Sequence, residues 1–250
     1  MTRSQRSNLI QWALFVAGLA LVALVLGVTV RWGDLADRFF KWEDFTDQFP
    51  GIVTEAARNT LVYTAIGYGG SFIPFTFLAP LLQQQAGFSA GAVGWVMLAY
   101  GVSVAVGNLW GGRLADRRGP IPALKVIFLA LAAVLLVFTF TSHQPVLAVL
   151  TVLVWGAFAF GNVPGLQVYV VQQAERVSPQ AVDVASGLNI AAFNLGIAFA
   201  AWAGGLIVTH VGLQHTPWMG AVVVLVSLAL THWSGALDRA APGPRSLAAR

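Results

Sequence analysis

Charged positions divide this chain into segments of regular length. After Arg58 no charged side chain occurs until Arg113, after Lys125 none until Glu175, and after Asp183 none until Asp238. A helix crossing about 30 Å of hydrocarbon needs about 20 apolar residues, so each uncharged stretch has room for two crossings and a turn. Each is also interrupted near its middle by polar or helix-breaking residues: Gln83 to Ser89, Thr141 to Pro145, and Thr209 to Pro217. The pattern predicts three helical hairpins. Ahead of them Leu9 to Val30 is apolar and uncharged, with Arg3 and Arg6 before it. That run exceeds the roughly 7–15-residue core of a signal peptide, and Arg31-Trp32-Gly33-Asp34 follows it. It reads as one further span. Residues 31–58 mix charges with Phe39, Phe40, Trp42, Phe45 and Phe49, the pattern of an interfacial segment.

Composition turns this pattern into a class. Hydrophobic residues make up 57% of the chain and charged ones 10%, against roughly a quarter charged in soluble domains. Mean hydropathy is +0.73. A soluble fold of this size cannot hide so much apolar surface, which excludes a soluble enzyme and a disordered chain. The basic excess (14 Lys and Arg against 10 Asp and Glu) is spread over short loops and termini, so no nucleic-acid partner is expected. The lipid bilayer is the expected surrounding. The absence of cysteine removes disulfides, thiolate metal sites and cysteine nucleophiles.

Orientation follows from the same charges. Arg113, Arg117, Arg118, Lys125, Arg176, Arg239, Arg245 and Arg250 all lie between hairpins or in the tail, and the mid-hairpin turns hold no Lys or Arg. By the positive-inside rule, loops 113–125 and 175–183 and the tail 239–250 face the cytoplasm. The first helix then either runs out-to-in or stops short of crossing; its flanking charges fit both.

From about Asn59 onward the chain resembles the C-terminal six-helix half of a major facilitator superfamily transporter, most of all its drug and sugar efflux branch. The resemblance is most specific in Gly107-Asn108-Leu109-Trp110-Gly111-Gly112-Arg113-Leu114-Ala115-Asp116-Arg117-Arg118-Gly119, similar to the family's cytoplasmic motif G-x-L-A-D-R-x-G. Pro120-Ile121-Pro122 departs from it where another basic residue is usual. Phe75 to Leu82, Gly161 to Gly165 and Ala185 to Gly196 add support. Residues 1 to about 66 resemble instead the start of a polar amino-acid ABC transporter permease, ending in Glu55-Ala56-Ala57-Arg58-Asn59-Thr60-Leu61-Val62-Tyr63-Thr64-Ala65-Ile66-Gly67. That family's later ATPase-coupling loop has no counterpart here.

The expected fold is therefore all-α and integral to the membrane. It comprises an ABC-permease-like helix and interfacial segment (1–58), a six-helix facilitator half (59–238) and a cytoplasmic tail (239–250). The half is expected to contain two inverted three-helix repeats, with Trp110-Gly111-Gly112 and Trp202-Ala203-Gly204-Gly205 in equivalent helices. The resemblance implies efflux of small organic molecules such as drugs or sugars across a bacterial inner membrane. Alternating access needs two halves, so the implied partner is a second copy or a separate N-terminal half. An ABC permease subunit and an inactive fusion or assembly protein are the alternatives.

Two groups of candidate residues follow. Gly111, Gly112, Asp116, Arg117, Arg118 and Gly119 match the motif that the family uses as a cytoplasmic latch; Arg117 and Arg118 also suit the negative end of a helix. Three stripes at helical spacing could form a substrate pathway: Gly101, Ala105, Asn108 and Gly112; Trp155, Phe158, Asn162, Gly165 and Tyr169; and Ser186, Asn189, Phe193, Gly196 and Ala200, with Asn194 beside the last. The same spacing serves helix packing equally well. Asn162 lies two residues before Pro164, where a broken helix would free backbone carbonyls. Gly67-Tyr68-Gly69-Gly70 reads as a kink or packing notch. No catalytic set, metal site or cofactor motif is present in the sequence. No Asp, Glu, Lys or Arg falls within the six later spans, and His143, His210, His215 and His232 sit near their ends. A proton-coupling carboxylate would have to come from elsewhere.

Overall fold

The computed structural model describes the backbone of residues 55–177 and 182–240 and the side chains of 61–176 and 182–233. The N-terminal helix, the interfacial segment up to residue 54 and the tail beyond residue 240 lie outside the described residues, whereas Glu55–Arg58 open α1. The described chain is helical: α1 (Glu55–Phe75), α2 (Leu78–Gln84), α3 (Ala90–Arg118), α4 (Pro120–Thr141), α5 (Pro145–Val177), α6 (Val182–His210), a single 3-10 turn (Leu213–His215) and α7 (Thr216–Ala240). Taking α1 and α2 together, six segments are long and apolar enough to cross a membrane. The protein is a multi-pass membrane protein.

Helix ends fall where local chemistry stops the hydrogen-bond ladder. Gly87, Gly119 and Gly212 have φ of 73°, 81° and 119°, a left-handed conformation that only glycine adopts without strain, and each ends a turn between spans. The Ser89 side chain accepts from the Ala92 amide at 3.3 Å and caps α3. The first span is broken at Thr76-Phe77. Pro80 has no amide to offer the Thr76 carbonyl, and the Phe77 amide turns back tightly to Pro74 O at 3.1 Å. Pro164 does not break its helix: α5 runs unbroken from Pro145 to Val177. The expected break there is absent because one proline removes a single ladder bond, the one to the Phe160 carbonyl.

The spans form two layers. One is ordered α3, α5, α1, α6, and behind its two central members lie α4 and α7, packed on each other. Exchanging the first three spans with the last three maps α3 on α5 to α6 on α1, and α4 on α5 to α7 on α1. This is the arrangement expected of two inverted repeats. The core fills the space between layers, with Phe128, Leu131, Leu135 and Phe138 of α4 against Val152, Trp155 and Leu166 of α5.

The paired helices approach too closely for side chains. A Cβ on Gly107 would meet the carbonyl of Ala157, and one on Gly111 that of Gly161. On the other side a Cβ on Gly196 would meet the Ala65 carbonyl, and one on Gly69 would come within 2.7 Å of the Gly196 carbonyl. In a membrane, where lipid tails are as apolar as leucine, such backbone approach supplies the packing energy that holds helices together.

Candidate functional site

The loop motif separates into three physical parts. Gly111 is buried at the α3–α5 crossing, Gly112 faces Pro164 so that an added Cβ would sit in ordinary contact at 3.7 Å, and Gly119 makes the turn into α4. Asp116, Arg117 and Arg118 are exposed at the end of α3. No ion pair or hydrogen bond joins Asp116 to another described side chain. Its carboxylate is therefore free to meet a group from outside this half.

The candidate pathway residues do not converge on one site. Trp155, Asn162, Tyr169 and Asn189 are buried inside the half-bundle, and Phe193 is half-buried beside them. Asn108 and Asn194 are exposed on α3 and α6, at the two flanks of the front layer. Asn194 donates only to its own helix, to Ile190 O at 2.9 Å.

Within the interior the amides and aromatics have distinct surroundings. Trp155 is enclosed by Phe75, Tyr100 and Phe138, with ring centroids 6.2, 6.1 and 5.7 Å away. Two turns along the same face, the Asn162 Nδ2 donates to Ala159 O at 3.0 Å. The Trp155 Nε1 and the Asn162 Oδ1 are both buried without a partner. An unmet buried polar group costs roughly 1–3 kcal/mol, so these two are the sites most ready to accept a polar ligand atom. Asn189 is the opposite case. It accepts from Thr64 Oγ1 at 2.7 Å and donates to Gln167 Oε1 at 2.8 Å, tying α1, α6 and α5 together with its amide satisfied. Its geometry is that of interhelical glue.

Sequence reasoning missed Tyr68. Its ring lies 4.7 Å from Phe72, 4.7 Å from Phe193 and 5.7 Å from Phe160, so it joins the aromatics of α1, α5 and α6. The flanking glycines act as packing notches. Gly67 faces Phe128 and Ser227, Gly69 faces Gly196, and Gly70 faces Val224. Three directions around α1 are thus closed by neighbouring helices, and Tyr68 fills the one that remains. A tyrosine set among glycines in an apolar span was the available signal.

A half-bundle of two inverted three-helix repeats with this loop motif defines a class, and comparison with known proteins identifies it. The Major Facilitator Superfamily model matches residues 7–181 and, overlapping, 61–249. The chain belongs to that family. It is 48% identical over 193 residues to the uncharacterized MFS-type transporter YtbD of Bacillus subtilis, covering 77% of this chain and 48% of the relative. It is 35% identical over 177 residues to the inner membrane transport protein YdhP of Escherichia coli, covering 70% and 44%. A probable sugar efflux transporter of Helicobacter pylori is 26% identical over 159 residues, covering 64% and 39%. The chain therefore spans about half the length of the curated relatives it matches.

Proposed function

We propose that this chain is one half of a transporter that moves small organic molecules out across a bacterial inner membrane by alternating access, completed by a second copy or by a separate six-helix half. One observation carries this reading. The flanking helices α3 and α6 are the least buried spans, at 22% each, against 56% for the first span. Their exposed faces carry Asn108 and Asn194, and Gly91, Gly94, Gly101 and Gly187 have nothing within 4 Å of an added Cβ. Small and amide residues suit a helix neighbour better than lipid. In the completed transporter, Tyr68, Trp155, Asn162 and Phe193 supply aromatic and amide contacts to the solute, and Asp116 latches onto the partner half. The likeness to a sugar efflux transporter supports the drug and sugar efflux branch. The ABC-permease-like reading of residues 1–58 rests on the Glu55–Leu61 resemblance, and the family match that opens at residue 7 weighs against it.

Because the chain has no cysteine, single cysteines test this directly. Asn108→Cys and Asn194→Cys should cross-link to a partner in native membranes, whereas Leu136→Cys on the opposite layer should not. Equal cross-linking at all three positions would refute the assigned face. In liposomes the pure chain should drive no proton flux with any solute, since no Asp, Glu, Lys or Arg falls within its six later spans. Proton counter-flow abolished by an ionophore would overturn that.

A further inference from the structure

A groove of about 410 Å³ opens between α4 and α7 on the layer facing away from α3 and α6. Its floor is Val126, Leu129, Leu225 and Leu228, and at its rim stand Lys125 and His232. The floor is open to the surroundings: Leu129 is 58% and Leu225 39% exposed. Lys125 lies in the second turn of α4, just past the basic α3–α4 loop, so the rim is at the cytoplasmic end. Trp233, 58% exposed beside His232, marks the same level as the headgroup region, where indoles collect. Among the described residues no Asp or Glu lines the groove, and neither Lys125 nor His232 has an ion-pair partner.

An apolar trough ending in an unpaired cation and an imidazole at the cytoplasmic surface is the complement of one molecule that the bilayer itself supplies. We propose that this groove holds an anionic phospholipid of the cytoplasmic leaflet, with its phosphate on Lys125 and His232 and an acyl chain along Leu129 and Leu225. Lys125 contributes a full charge and His232 a ring N–H. The lysine stem lies along the apolar wall while its ammonium reaches the headgroup. Basic pockets between transmembrane helices on the cytoplasmic side recognise anionic headgroups by this combination. The site lies on the lipid-facing layer and does not depend on the proposed transport function.

The test uses the full chain in detergent, with retained lipid read by native mass spectrometry against phosphatidylglycerol and phosphatidylcholine of identical chains. The native protein should retain phosphatidylglycerol about fivefold over phosphatidylcholine, the preference that one lysine near the surface supplies. In the Lys125→Ala/His232→Ala double variant the ratio should fall to about one. Arg113→Ala, which removes an exposed charge from α3, should keep it, and Leu129→Trp, which fills the trough, should lose retention of both lipids. Thermal unfolding of each variant confirms that it is folded. An unchanged ratio in the double variant would sink the proposal, as would an equal loss in Arg113→Ala. Displacement by millimolar inorganic phosphate would show a free-anion site, and preferential retention of phosphatidylethanolamine a zwitterionic one; either result would overturn it.

Discussion

The two parallel helix pairs of this half, α3 on α5 and α6 on α1, occupy equivalent places in the repeat but are closed by different chemistry. Along α3 on α5 the contacts are glycine against neighbouring atoms at every level. A Cβ on Gly156 would meet Ser103 Oγ, one on Gly107 the Ala157 carbonyl, and one on Gly111 the Gly161 carbonyl. Along α6 on α1 the outer level is Gly204 against the Phe77 ring, 2.7 Å from an added Cβ, and the middle level is Gly196 against Ala65. The inner level is a side-chain hydrogen bond from Thr64 to Asn189. One seam is closed by backbone proximity at its glycines, with the Tyr100–Trp155 and Trp110–Phe158 ring contacts beside them; the other trades part of that proximity for a directional bond and a ring. At Gly107 and Gly111 the first seam meets only backbone; the second meets backbone at Gly196 but a side-chain ring at Gly204.

The largest effect is therefore expected at Gly111. Gly111→Ala drives a methyl into the Gly161 backbone, which cannot rotate aside, and overpacking of this kind costs about 1–3 kcal/mol. Gly107→Ala should behave alike. Thermal unfolding in detergent should drop clearly for both, and an unchanged midpoint would mean that the α3–α5 seam is looser than its geometry.

Asn189→Ala should follow, at about 1 kcal/mol. Interhelical hydrogen bonds in membranes average about 0.6 kcal/mol and reach about 1.7, and this amide makes two. A double-mutant cycle with Thr64→Val isolates the bond. A coupling energy indistinguishable from zero would show that the α6–α1 seam, too, is held by packing alone.

Much of this was legible in the sequence, and the boundary of what was legible has a physical cause. The turns expected at Gln83–Ser89, Thr141–Pro145 and Thr209–Pro217 sit at the ends of α2, α4 and α6, because uncharged length and helix breakers are one-dimensional properties. The stripe Gly101, Ala105, Asn108 and Gly112 was legible as a stripe but not as a direction. The residues packed on α5 are Gly107 and Gly111, each one position before a member of that stripe. One residue turns a helix by about 100°. In a span apolar on every side, no hydrophobic contrast marks which of two neighbouring small-residue stripes points inward. Asn162 and Asn189 were alike in sequence for a related reason: one amide is satisfied and the other is not only because Thr64 and Gln167 come within reach of Asn189 from other helices.

Gly204→Ala tests the softer end of the comparison. Its methyl meets the Phe77 ring at 2.7 Å and the Ile73 carbonyl at 3.0 Å. Phe77 is half-buried at the break between α1 and α2, and its ring is a side chain rather than backbone. The unfolding midpoint should fall by less than half as much as in Gly111→Ala. An equal fall would show that the ring is as immovable as backbone, removing the distinction between the seams.

The smallest effect on stability, and the most informative about the missing partner, is expected on the outward stripe of α3. An added Cβ on Gly94 or Gly101 meets nothing within 4 Å, so Gly101→Leu neither creates a clash in this half nor removes a contact. The isolated chain should unfold at the native midpoint or slightly above it, since glycine is the weaker helix former. The same leucine would add bulk to the stripe that this position forms with Ala105, Asn108 and Gly112, and close approach of another helix along that stripe would be blocked. Cross-linking through Asn108→Cys should then disappear from Gly101→Leu while remaining in Gly101→Ala. Loss of stability in the isolated chain would place some other element of this protein against α3. Unchanged cross-linking would move the partner to a different face. A helix can be packed by glycines on one side and kept open by glycines on the other, and only the response to an added side chain separates the two.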